Sequence, residues 1–173
     1  MDLALFVLRI VVGLLFVGHG AQKLFGVWGG GGLEGTAEMF DSIGLRPGEL
    51  HARAAGTAEF AGGALLVLGF LTPFAAAALI AVMTAAVLSV HGQNGLWVTN
   101  KGYEYNLVLA ATAFALAGAG AGGLSLDSAF GLGHSGAGWA LAALIVGVLG
   151  GIAAVYGGRY SGRVSGREPH PIR

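Results

Sequence analysis

The sequence predicts an all-α membrane protein: a bundle of four core transmembrane helices with a fifth transmembrane helix near the C-terminus. Three observations predict it. Apolar residues make up 55 % of the 173 residues and charged residues only 10 %, with a mean hydropathy of +0.74. A soluble domain carries about 25 % charged residues, and so few charges cannot build a water-facing surface. The apolar residues also gather into runs of the ~20-residue length that a bilayer crossing needs. Finally, the 33 glycines follow no three-residue repeat, and in membrane helices glycine lets neighbouring backbones approach closely. With lipid as solvent the backbone must bond to itself, which makes those runs helices.

The first span covers 3–26 and is interrupted by Arg9. It reads as a retained span rather than a cleaved leader, because Asp2 stands where a leader carries positive charge and no A-x-A site follows. Gly26 to Gly32 form a glycine-rich loop. The polar stretch 33–52, with Glu34, Glu38, Asp41, Arg46 and Glu49, reads as extramembrane with a short surface helix around 34–43. Residues 60–90 contain no charge and are too long for one helix. Gly69 and Thr72-Pro73 divide them, since proline suits the first turn of a helix. The second span is then 53–71 and the third 73–92. A polar loop leads to a fourth span at 104–119, and a Gly/Ser-rich loop over 118–138 leads to the fifth at 138–158. Gly147 and Gly151 there have the spacing of a helix-packing face. The tail 159–173, with Arg159, Arg163, Arg167 and Arg173, is expected to lack order.

The absence of cysteine excludes disulfides and thiol chemistry, and a net charge of zero gives no footing for a nucleic-acid partner. Five spans put Lys23, Arg46, Arg53, Lys101 and the tail arginines on one side and Arg9 on the other. Cytoplasmic loops collect Lys and Arg, so the C-terminus is expected in the cytoplasm.

Ionisable groups at membrane depth are expensive and mark functional sites by default. His19 lies about seven residues before the end of the first span, and Glu59 a similar distance into the second. Both are then ~10 Å inside the same face. His19, Lys23, Glu59, His91, Tyr103, Glu104 and Asn106 are expected to converge there as a ligand-binding pocket, with His19 and Glu59 as catalytic candidates. Trp28, Trp97 and Tyr105 are aromatic residues at the level of its mouth. Gly56, Glu59 and Gly63 share one helical face, as do Arg9, Gly13, Phe16, Gly20 and Lys23, which points these charges at other helices. Arg9 and Asp127 are expected to form a structural ion pair at the other end. A two-histidine, two-carboxylate metal set from His19, His91, Glu59 and Glu104 lacks any motif spacing, and no metal is expected. His51, His134 and His170 receive no role.

Several of these motifs resemble the DoxX family of membrane proteins. Arg9-x-x-x-Gly13-x-x-Phe16-x-x-His19-Gly20-x-x-Lys23-Leu24 resembles its first helix, and Arg53-x-x-Gly56-x-x-Glu59-x-x-Gly62-Gly63 its second. Gly102-x-Glu104 and Gly120-x-Gly122-x-x-Ser125-Leu126-Asp127 resemble the fourth helix and its exit. The resemblance covers about 3–130. It divides the chain into a four-helix core over 1–130, an additional helix within 131–158 and the basic tail 159–173. It implies a multi-pass protein of a bacterial inner membrane. It also implies a membrane subunit of a quinone-linked redox or oxidative-stress assembly, working with soluble redox enzymes rather than as a self-sufficient oxidoreductase. Quinone is the expected cofactor, the lipid bilayer and a homo-oligomer the other expected partners. The alternatives are a transporter for protons or a small solute, and a scaffold that docks soluble partners without chemistry.

Overall fold

A helix begun at Asp2 meets no breaker until Gly26, whose φ of 71° is left-handed and ends it. The protein is described by a computed structural model over residues 1–164, which is helical with no strand among the described residues. α1 is Asp2–Phe25 and α2 is Gly32–Ser42. α3 is Gly48–Leu68, five residues longer at its start than the span expected from 53. Pro47 is extended (ψ 134°) and launches the helix. Glu49 was among the grounds for an extramembrane stretch up to residue 52, but it forms an i,i+4 ion pair of 2.7 Å with Arg53 on the first turns of the helix. α4 is Thr72–Ala86, with Pro73 in its first turn. It continues through a π turn at Val87–His91 and a 3-10 turn at Gly92–Asn94.

α5 is Glu104–Ala119, as expected. The Gly/Ser-rich connection after it contains a four-residue helix, α6, Leu126–Ala129. α7 is Ala137–Val164. It runs past the expected end at 158, so 159–164 are helical rather than a tail without order, and 165–173 lie outside the described residues. Asp2–Phe25, Thr72–Asn94 and Ala137–Val164 are each long and apolar enough to cross a membrane, and α5 is a shorter apolar helix. Their outer faces carry exposed apolar stripes, such as Leu141, Ile145, Leu149 and Ile152 on α7. Helical spacing of this kind makes one continuous face. In water it would be a large apolar patch; in lipid it is the solvent-facing surface of a membrane protein.

Small residues decide which helices touch. α1 packs mainly on α3, while α4 packs on α7, α5 and α3. A Cβ on Gly63 would lie 2.6 Å from the Gly13 carbonyl, and one on Gly20 would lie 2.5 Å from the Phe60 amide. Gly147 and Gly151 likewise press on Ile80 and on the Ala81 carbonyl. That stripe of α7 is therefore a packing face. Phe16, Leu66, Leu79, Ile80 and Leu116 fill the main core.

Leucine at position 151 would meet the Ala81 carbonyl at 2.5 Å from its first carbon, whereas Gly157 faces open space. Gly151→Leu is expected to destabilise the protein by about 1–3 kcal/mol, and Gly157→Leu to leave it unchanged. Thermal unfolding of the two variants in the same detergent checks this.

Candidate functional site

Glu59 belongs to the face of α3 turned towards α1, and it is 2 % exposed. A carboxylate so placed needs a countercharge. Lys23 supplies it from the last turn of α1: Nζ donates to Oε2 of Glu59 at 2.5 Å. The lysine retains 25 % of its side-chain exposure and the glutamate 3 %. The glycines that bring the two helices together are thus also what brings the two charges together.

The pair stands between two cavities. One, of about 410 Å³, is the more polar of the two and lies among α1, α4, α5 and the loop before α5. His19, Lys23, Glu59, His91, Lys101 and Tyr105 line it, with Asn106 at its edge. His19 and Tyr105 meet edge to face at 6.2 Å. His91 is placed by the π turn, a distortion often found at functional sites. Its Nδ1 donates to the Lys101 carbonyl at 2.9 Å, which leaves Nε2 as the nitrogen free to accept. The other cavity, of about 560 Å³, is lined almost entirely by apolar groups of α3, α4 and α7, with Met39, Phe40 and Leu45 at one end. Lys23, Glu59, Ala86 and His91 line both.

His19, Lys23, Glu59, His91 and Asn106 line one cavity. Tyr103 and Glu104 do not, and those two assignments are corrected. Neither lines either cavity; Glu104 instead accepts from the Val98 amide at 3.0 Å and braces the loop. Gly102, Tyr105, Asn106 and Leu109 share one helical face, so the tyrosine that reaches the pocket is Tyr105. With Glu104 committed to the loop, the two-histidine, two-carboxylate set does not assemble. No group of three such side chains able to hold a metal ion occurs among the described residues.

His51, assigned no role from sequence, lines the apolar cavity. The signal was present. His51, Ala54, Ala55, Ala58 and Glu59 fall at i, i+3, i+4, i+7 and i+8, one continuous face of α3.

Arg9 and Asp127 lie at the opposite end without a direct ion pair, which corrects that expectation. Arg9 is fully buried; its Nη2 donates to the Leu124 carbonyl, while Nε and Nη1 have no partner. Asp127 is occupied elsewhere. It accepts from the Leu71 amide (2.8 Å), the Thr72 amide (3.0 Å) and the Thr72 hydroxyl (2.8 Å). It thereby holds the turn into α4, where Leu71 adopts a φ of 50°. Sequence spacing could not reveal this, because backbone amides at a strained turn carry no residue signature.

Comparison with known proteins matches residues 4–92 to the DoxX family model. A Bacillus subtilis (strain 168) protein named "Putative oxidoreductase CatD" is 28 % identical over 117 residues, covering 68 % of this chain and 81 % of that protein. An uncharacterized protein of Haemophilus influenzae is 30 % identical over 129 residues, covering 72 % of this chain and 82 % of its own length. No solved structure matches the chain.

Removing either member of the ion pair has unequal consequences, because Lys23 reaches water and Glu59 does not. Lys23→Met strands a buried carboxylate and is expected to cost on the order of 3 kcal/mol. Glu59→Gln leaves a lysine that can turn outward, and is expected to cost less than half of that. Unfolding midpoints of the two variants and of the double variant test the asymmetry; equal losses would contradict it.

Proposed function

The chain belongs to the DoxX family, and we propose that it is the membrane subunit of a quinone-linked redox assembly in a bacterial inner membrane. The observation that carries this is the Lys23–Glu59 pair as a wall shared by a dry cavity and a polar one. A ligand ring that takes up protons needs an apolar slot with a few hydrogen-bonding groups and a route for the proton. Cavities of 300–1,000 Å³ are of the ligand-binding class, and both fall in that range. The quinone supplies two-electron chemistry when bound. This chain's part is to exclude water from the ring, to orient its oxygens and to move protons. Tyr105 and Nε2 of His91 are placed to orient the oxygens, and Glu59 to pass protons between the polar pocket and the ring, with Lys23 holding it when ionised. Electrons come from a soluble partner enzyme. The oxidoreductase name of the Bacillus subtilis relative supports the same class.

We further propose five membrane crossings, by α1, α3, α4, α5 and α7. Residues near the ends of α1, α4 and α5 share the polar pocket. Gly158 of α7 accepts from the Arg46 amide just before α3, so that end of α7 lies on the same side. An odd number of crossings puts the basic tail with Lys23, Arg53 and Lys101, and the positive-inside rule makes that side cytoplasmic. A transport reading is weaker. A pathway needs polar or hydrated lining through both leaflets, and at the far end Arg9 is fully enclosed.

Titration of the purified protein with a short-chain benzoquinone is expected to show saturable binding that weakens about tenfold or more in Glu59→Gln and less in Tyr105→Phe. A wild-type protein that binds no quinone would remove the reading. For topology, a phosphatase reporter fused to the C-terminus is expected to stay inactive and a cytoplasmic fluorescent reporter to be bright. The reverse pattern would sink the five-crossing arrangement.

A further inference from the structure

The apolar cavity has a shape of its own. Elsewhere the small-residue faces close into contact, as at Gly13 against Gly63 and Gly151 against Ala81. Here they do not. α3 and α7 flank α4 without substantial packing on each other. Between them Ala54 and Ala58 of α3, Ala78 and Ala81 of α4, and Gly150 and Ala154 of α7 leave an open groove. Its lining on α4 runs from Ala78 to His91, about 20 Å at the helical rise. A volume near 560 Å³ over that length is too thin for a helix, whose diameter is about 10–12 Å, but accommodates one hydrocarbon chain.

Polarity along the groove is graded. His91 and His51 line it towards the end closed by α2, the Lys23–Glu59 pair lines it further in, and only alanine, glycine and valine line its floor on α4 and α7. The one hydroxyl in the lining, Ser89, is turned back onto the Ala85 carbonyl at 2.6 Å. A water-soluble solute would gain nothing from such a floor. α3 and α7 close on each other only where Ala52 and Val155 pack together with Phe40 and Leu45; beyond that end the groove is partly open to the hydrocarbon around the bundle.

We propose that this groove holds the hydrocarbon tail of the ring ligand, so that the substrate is a long-chain, lipid-soluble quinone that enters sideways from the bilayer. The inference rests on the quinone reading above and adds what that reading leaves open: the chain, its site and the route of entry. The ring stays at the ion pair, and the tail lies along α4 towards Ala78.

The test compares a dimethoxy-methyl benzoquinone without a side chain with the same ring bearing a decyl chain, each bound to the full chain in nanodiscs and corrected with empty nanodiscs. The decyl compound is expected to bind at least about tenfold more tightly, because its methylenes leave water for a preformed apolar slot. Ala81→Leu and Ala58→Leu, which fill the groove, are expected to abolish that advantage while the tailless ring binds as before. Ala111→Leu, which lines neither cavity, is expected to keep it. Retained binding of the tailless ring shows that the groove variants are folded. Equal affinities of the two compounds in the wild type would overturn the groove proposal, as would a tail advantage that survives both groove variants. If the tailless ring still binds in a Glu59-dependent way in either of those cases, the quinone reading stands without the groove. If neither compound binds, both fall. A phospholipid retained on the protein in native mass spectrometry and not displaced by the decyl compound would also overturn the groove assignment.

Discussion

One ion pair organises this molecule. A carboxyl group that is 2 % exposed among helices needs a partner against it, and Lys23 is that partner. The contact constrains more than charge. It sets the register of α1 on α3, because Gly13, Gly20 and Gly63 must meet their opposite backbones while Lys23 meets Glu59. It also places an ionisable group where two cavities, one more polar than the other, share a wall. Truncating either partner therefore touches packing, electrostatics and the site together.

Glycine and alanine serve two opposite ends in the same bundle. Along α1–α3 and α4–α7 their missing side chains let backbones close to contact, where hydrogen of one residue fits against carbonyl oxygen of the next helix. In lipid no hydrophobic effect drives helices together, so this close packing is a main source of association. Between α3 and α7 the same residue types do the reverse. Beyond the end where Ala52 and Val155 pack together, the two helices flank α4 without closing on each other, and small side chains shape a groove between them. Whether a small-residue stripe becomes a seam or a slot is decided by the distance between helices, not by the stripe.

The far end of the bundle is built on a different logic. Asp127 gives its oxygens to the amides and hydroxyl at the α3–α4 turn, and the backbone of Asp127 donates to the Gly69 carbonyl. α6 is so clasped onto the turn. Arg9 fills the space beneath it, close against Gly69 and fully enclosed. Polar groups occur at both ends; around Lys23 and Glu59 they line open volume, whereas Arg9 and Asp127 are enclosed.

The class of the molecule and nearly all of its helices can be read from composition and run length. Run length and the scarcity of charge require lipid as solvent, and lipid requires helices, so α1, α4, α5 and α7 were legible within a few residues of most of their ends. That His19, Lys23, Glu59, His91 and Asn106 share a level can be read as well, because depth follows from counting residues along a helix of known rise. The start of α3 was obscured because Glu49 reads as loop until its partnership with Arg53 on one helix face is seen. Rotation and spacing come from the packing of the helices: that Tyr105 rather than Tyr103 lines the pocket, that Glu104 braces a loop, that Asp127 caps a turn instead of pairing with Arg9, and that a slot lies beside His51. Depth is a one-dimensional property that a chain carries within itself. Which face meets which neighbour, and at what distance, depends on every other helix packed around it.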